Sequence, residues 1–116
     1  MLIRRQESRV TARRRVFIRV LESVEDRVVG LSLKCRSVDY STRGMKLRIA
    51  NEWIRSDSVL EIVMAVVKPR IAFNLTGKVR WSTPENEGCS LGLTIREEGD
   101  FPKWSEYVRT FLDEQA

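Results

Sequence analysis

Ile71-Ala72-Phe73-Asn74-Leu75-Thr76-Gly77-Lys78-Val79-Arg80-Trp81 is the stretch that decides the fold. Ile71, Phe73, Leu75, Val79 and Trp81 take every second place, and Ala72, Asn74, Thr76, Lys78 and Arg80 alternate with them. Successive side chains of a strand point to opposite faces, so this period predicts a β-strand with one buried face. Gly77 falls in register with the apolar set, where a glycine marks a bend or a close approach.

The same period recurs on both sides. Val16, Ile18 and Val20 share a face, followed by a polar turn at residues 22–26. Val29, Leu31, Leu33 and Cys35 form a second apolar face, which Ser41-Thr42-Arg43-Gly44 breaks. Met45, Leu47 and Ile49 alternate with Lys46 and Arg48. Residues 59–67 are apolar at most positions and read as a central or doubly covered strand. Residues 82–88, with Pro84 and Asn86, read as a loop before a strand carrying Cys89, Leu91, Leu93 and Ile95. After Asp100, a suitable N-cap with Pro102 just inside, the period turns helical through Trp104, Tyr107, Val108, Phe111 and Leu112. Six short strands and a terminal helix predict a small, mainly β, antiparallel barrel closed at one end by the helix.

At 116 residues the chain predicts one domain, burying roughly two thirds of its unfolded surface. No apolar run approaches the ~20 residues that span a bilayer. No apolar segment follows the first residues, so no signal peptide and a cytoplasmic location are expected. Cys35 and Cys89 lie in apolar alternating segments and read as core thiols. With no histidine in the chain, zinc ligation and His-based catalysis have no support, and a cysteine nucleophile lacks its usual base. No Gly-rich phosphate loop precedes a helix either, so the expectation is a binding protein and not an enzyme.

The net charge of +5 is unevenly spread. Residues 1–20 carry +6 from seven arginines and one glutamate, and the rest carries −1. All seven cations are arginine, whose planar fork of donors fits phosphate and the O6/N7 edge of guanine. Residues 1–15 thus read as a flexible arginine-rich arm on a barrel spanning residues 16–116.

Two motifs make the reading specific. The arm contains Arg5-Gln6-Glu7-Ser8-Arg9, and the loop after the second strand reads Asp39-Tyr40-Ser41-Thr42-Arg43-Gly44. Arg9-Val10-Thr11-Ala12-Arg13 is a second match to the first pattern; Arg5…Arg9 is preferred because apolar alternation begins at Val10. A third landmark is Val79-Arg80-Trp81, then a loop, then Leu91-Gly92-Leu93. In this order and spacing the chain resembles the PilZ family, bacterial receptors of cyclic di-GMP with RxxxR and (D/N)xSxxG signatures. The resemblance covers residues 4–112. It implies a ligand site of Arg4, Arg5, Arg9, Asp39, Ser41, Gly44 and Trp81, with cyclic di-GMP as ligand and no other cofactor. An arginine at the place of Arg4 implies two intercalated ligand molecules per chain. The resemblance also implies an arm that orders on binding and signals in trans to a protein partner, in pathways such as motility or exopolysaccharide production.

The chemistry agrees with the resemblance. Two guanines on a doubly charged ring call for cationic forks, which Arg5 and Arg9 supply. They also call for an acceptor for guanine N1 and N2, which Asp39 supplies. Ser41 donates to a phosphate or orients the turn, and Gly44 admits a close purine. The bland alternative for the loop is a simple polar turn with Gly44 at positive φ. Trp81 is a candidate platform for guanine, or a strand packing residue. A nucleic-acid-binding barrel is the main rival, disfavoured by the slightly acidic body and by strand faces without an aromatic platform. A PilZ adaptor that binds no ligand is the third reading.

Overall fold

The computed structural model describes residues 10, 11, 14–67 and 70–115, with side chains to residue 111. Six strands form: β1 (Arg15–Glu22), β2 (Ser32–Tyr40), β3 (Gly44–Ala50), β4 (Val59–Val66), β5 (Ile71–Glu85) and β6 (Gly88–Ile95). They close into a barrel in the order β1-β2-β3-β6-β5-β4, with every neighbouring pair antiparallel. Closure leaves no free sheet edge.

The alternating apolar residues fill the interior. Val16, Ile18, Val20, Met45, Leu47, Ile49, Phe73, Leu75, Val79, Leu91 and Leu93 are all buried there. Gly77 points inward among them: a Cβ would meet Leu93 Cδ1 at 2.8 Å and Ile62 Cδ1 at 3.0 Å, so the neighbouring side chains use its space. Cys35 and Cys89 are buried free thiols, and burial, with a smaller contribution from Cys89, pushes the Cys35 thiol up to about 12.

The helix α1 (Phe101–Gln115) covers one end of the barrel. Its Trp104 and Val108 are fully buried, and Trp104 packs on Tyr40 of β2 and Phe73 of β5 with ring centroids 5.2 and 5.4 Å apart. Asp100 stands at the helix start as expected, and its carboxylate accepts a hydrogen bond from the Asn74 N–H at 2.8 Å. The Asp100 N–H donates to Asn74 O at 3.0 Å, so the helix is tied to β5 before its first turn.

Four local expectations change. Residues 26–28 form a 3₁₀ turn and β2 begins only at Ser32, so Val28 is buried in place of the exposed Val29. The apolar composition of β4 does not make it doubly covered: Leu60, Ile62, Met64 and Val66 face inward, whereas Ala65 and Val67 face solvent. Residues 82–85 are strand, not loop; β5 runs on to Glu85, Pro84 pairs with Cys89, and the connection is a tight turn with Asn86 at φ 48°. The side chain of Leu112 lies outside the described residues.

The remaining change concerns register. β2 has a bulge between Ser37 and Asp39, and β5 has one between Val79 and Trp81. A bulge inserts one residue and flips the facing of everything beyond it. Strict alternation would put Asp39 on the core side with Cys35 and Ser37, and Trp81 with Phe73, Leu75 and Val79. The extra residues, Val38 and Arg80, turn both outward.

Candidate functional site

The two bulges have a common result. Asp39 pairs with Lys46, Lys46 with Gly92, and Gly92 with Trp81. One row therefore crosses β2, β3, β6 and β5 on the outside of the barrel. Adjacent strands lie about 4.8 Å apart, so the row extends over roughly 14 Å. It presents a carboxylate at one end, an ammonium inside and an indole at the other end.

Trp81 is 44% exposed although it is the largest side chain on its strand. Its ring lies across the Gly92 backbone: a Cβ there would sit 2.3 Å from Trp81 Nε1 and 2.5 Å from Cε2. Nothing but glycine admits this placement without moving the ring. Lys46 Nζ stands 5.8 Å from the Trp81 ring centroid, within cation–π reach. Of the two readings of Trp81, packing with the alternating core set of β5 is the one the structure does not bear out: the ring lies flat on the outer face.

The turn beside Asp39 is tightly held. Ser41 is buried; its N–H donates to Gly44 O at 2.8 Å, and its hydroxyl accepts from the Gly44 N–H at 3.1 Å. The serine hydroxyl here orients a turn, as short polar side chains do. Gly44 begins β3 opposite Thr94, and the described glycines with positive φ are Gly30 and Gly99, so Gly44 is not there for a left-handed conformation. The helix holds the turn from behind: Trp104 Nε1 donates to Thr42 O at 3.0 Å, Arg43 lies over the Phe101 ring at 5.7 Å, and Arg43 is paired with Glu97.

Arg4, Arg5, Arg9 and Arg13 lie outside the described residues. Val10, next after Arg9, is buried and bridges Tyr40: its N–H donates to Tyr40 O at 2.7 Å and its carbonyl accepts from the Tyr40 N–H at 3.0 Å. Arg14 exchanges similar bonds with Ser37. Within the arm expected at residues 1–15, Val10 and Arg14 are thus tied to β2. Tyr40 favours the charged Arg14 guanidinium and raises its pKa, although Arg14 Nε and the Tyr40 hydroxyl make no hydrogen bond of good geometry among the described residues.

Lys46 and Gly92 are the site residues that sequence reasoning misses as such. In the sequence Lys46 is only the wet alternate of β3, and Gly92 only a landmark. The available signal is the pairing of an exposed-parity lysine with a glycine in facing strands, which requires the register to be known. Among the described residues no group of three or more His, Cys, Asp or Glu could hold a metal ion, and no helix is long and apolar enough to cross a membrane.

No curated protein matches the chain. Among solved structures, the Bacillus subtilis inhibitor of motility MotI/DgrA is similar in fold, with a TM-score of 0.70 at 19% identity. The similarity covers 99% of this chain but 55% of that protein, so the chain spans about half its length. The PilZ domain profile matches residues 3–109, which include all six strands, the segment that leads into them and most of α1. With that match, the six-stranded closed barrel and its terminal helix, the chain belongs to the PilZ domain family.

Proposed function

We propose that this protein is a receptor for cyclic di-GMP that signals to a protein partner. The observation that carries the proposal is the outward row Asp39–Lys46–Gly92–Trp81 beside the Ser41–Gly44 turn. Two bulges are needed to build it, and in a barrel held by alternation nothing about core packing calls for an outward tryptophan there. In this reading Trp81 stacks on a guanine, and Asp39 accepts from guanine N1 and N2. Lys46 adds a cation for the phosphates. Arg5 and Arg9 contribute donor forks from the arm, and charge-assisted bonds of this kind are roughly twice as strong as neutral ones.

Membership of the PilZ family supports the ligand. The bridge at Val10 supports the Arg5…Arg9 register, because the chain already pairs with β2 directly after Arg9. Arg4 is assigned to a second, intercalated ligand, whose extra phosphates need another cation. The switch is then confined to the residues before Val10. Ordering them costs about 1–2 kcal/mol per residue fixed, which the arginine contacts must exceed. The ordered arm over the ligand is the surface offered to the partner.

Calorimetric titration with cyclic di-GMP, with GTP and a short RNA as competitors, tests this. Two ligands per chain are expected, falling toward one in Arg4→Ala. Arg5→Ala, Arg9→Ala and Asp39→Ala are each expected to lose about tenfold in affinity, or about 1.4 kcal/mol. A larger loss in Arg13→Ala than in Arg5→Ala moves the motif to Arg9…Arg13. Unchanged binding in all three variants, or RNA bound in preference with a steep salt dependence, refutes the proposal.

A further inference from the structure

Next to the proposed ligand row, on the outside of β1, β2 and β3, lies a groove of about 910 Å³ lined by Arg15, Lys34, Arg36, Lys46 and Arg48. Its charges are arranged at a local cost. Arg15 is the Cα partner of Arg36, and Arg36 of Arg48, so three arginines stand side by side across three strands. Like charges directly opposite one another destabilise a sheet. Arg48 is held by Glu85 at 3.3 Å and by the carbonyls of Ile49 and Cys89 at 2.8 and 3.2 Å. Among the described residues Arg15, Lys34 and Arg36 have no carboxylate partner. A repelling triad retained in a concave surface is explained by something anionic that enters it.

We infer that this groove docks an acidic segment of a partner protein. The closed barrel offers no edge for strand addition, so a partner must use a face. Lys34 and Arg36 lie two residues apart on the same face of β2, a backbone spacing of about 6.6 Å, which matches that of alternate residues on an extended peptide. The half-exposed Phe17 and the half-buried Val38 add apolar contact between the cations, which suits a peptide with mixed side chains. The groove is also short. Glu85 bounds it on one side, and Glu61, paired with Arg19 at 3.0 Å, stands beyond Phe17 on the other. A long polyanion such as single-stranded nucleic acid would run onto these carboxylates. Among the described residues Phe17 is the sole aromatic lining the groove, so base stacking has little to use. The groove shares Lys46 alone with the proposed ligand row, so its occupant does not depend on the cyclic di-GMP reading.

The test is fluorescence anisotropy of a labelled Glu-Val-Glu-Val-Glu peptide at low ionic strength, with a penta-uridine RNA as comparison. Saturable peptide binding is expected, weakened about tenfold or more by Arg36→Glu. Arg109→Glu, an equal charge change on the exposed face of α1, should stay within about twofold, because screening confines the effect of a distant surface charge. The same Arg36→Glu exchange should raise Tm by about 2 °C, since it turns a repelling triad into alternating charges. Asp39→Ala should leave peptide binding intact, whatever it does to cyclic di-GMP. Equal losses in Arg36→Glu and Arg109→Glu, loss of the peptide in Asp39→Ala, or tighter binding of the RNA overturns the inference. If Arg36→Glu does not fold, Arg36→Gln, which removes the charge alone, should still weaken the peptide about threefold or more, and parental binding there overturns the inference equally.

Discussion

A glycine determines what the most prominent surface residue can do. Trp81 lies flat because Gly92, its partner across β5 and β6, has no Cβ. In Gly92→Ala the new methyl would stand 2.3 Å from Trp81 Nε1, so the ring must lift. The ring is half-exposed and free to do so, and stability should change by no more than about 1 kcal/mol. Affinity for cyclic di-GMP should fall about tenfold, as in Trp81→Ala. The double variant should bind like either single one, because both changes remove the same platform. Additive losses in titration calorimetry would show that Gly92 acts apart from Trp81. Ser41 belongs to the same scale. Its hydroxyl accepts from the Gly44 N–H, which fixes the shape of the turn.

At the scale of elements, the bulges in β2 and β5 bring Asp39 and Trp81 into one row on the outside of the barrel, the row proposed to take the ligand. Arg80 is the inserted residue on β5, and its Nε donates to Thr94 Oγ1 at 3.0 Å, which holds it on the outer face. Deleting Arg80 places Trp81 directly after Val79, so plain alternation turns it outward with the same partner, Gly92. Tryptophan emission should therefore stay unshifted, and urea denaturation should show a stability change of about 1 kcal/mol or less. A blue-shifted emission would mean that Trp81 has entered the interior and that pairing with β6 does not hold the register beyond the bulge. The helix α1 is the third contributor. Trp104 reaches Thr42 O from the barrel end, so the turn is braced by an element distant from it in sequence.

At the scale of the whole molecule, a dry interior determines how stability responds to pH. Burial first, and Cys89 second, push the Cys35 thiol up to about 12 from an ordinary 9.0. Below pH 9 the thiol is protonated in folded and unfolded chains alike, and Cys35 confers no pH dependence. Above pH 9 the unfolded chain releases the proton while the folded one keeps it, so stability falls as pH rises toward about 12. Urea unfolding across this range should show a shallower decline in Cys35→Ala than in the parent. Equal slopes would mean that Cys35 is not shielded from water in the folded barrel.

Much of this molecule follows from sequence alone. Period-two alternation determined that there are six strands and, except in β4, which face of each is apolar, because burial demands that period wherever one face is dry; the change to helical spacing after Asp100 determined that a helix with Trp104 and Val108 inward follows them. The Asp39–Gly44 turn and the arginine arm were legible as motifs, and with them the family. Three things depended on the tertiary structure. Bulge positions leave no mark in local sequence, because Val38 and Arg80 are ordinary strand residues and only the facing strand reveals that one is extra. The exposed outer face of β4 could not be read from its composition, since an apolar residue in a closed barrel faces solvent wherever no second layer covers it. The cationic groove joins Arg15, Arg36 and Arg48 from three strands, and the row joins Asp39 to Trp81 from positions 42 residues apart. Side-chain neighbours across strands are set by register, and register is decided by the packing of the closed sheet as a whole.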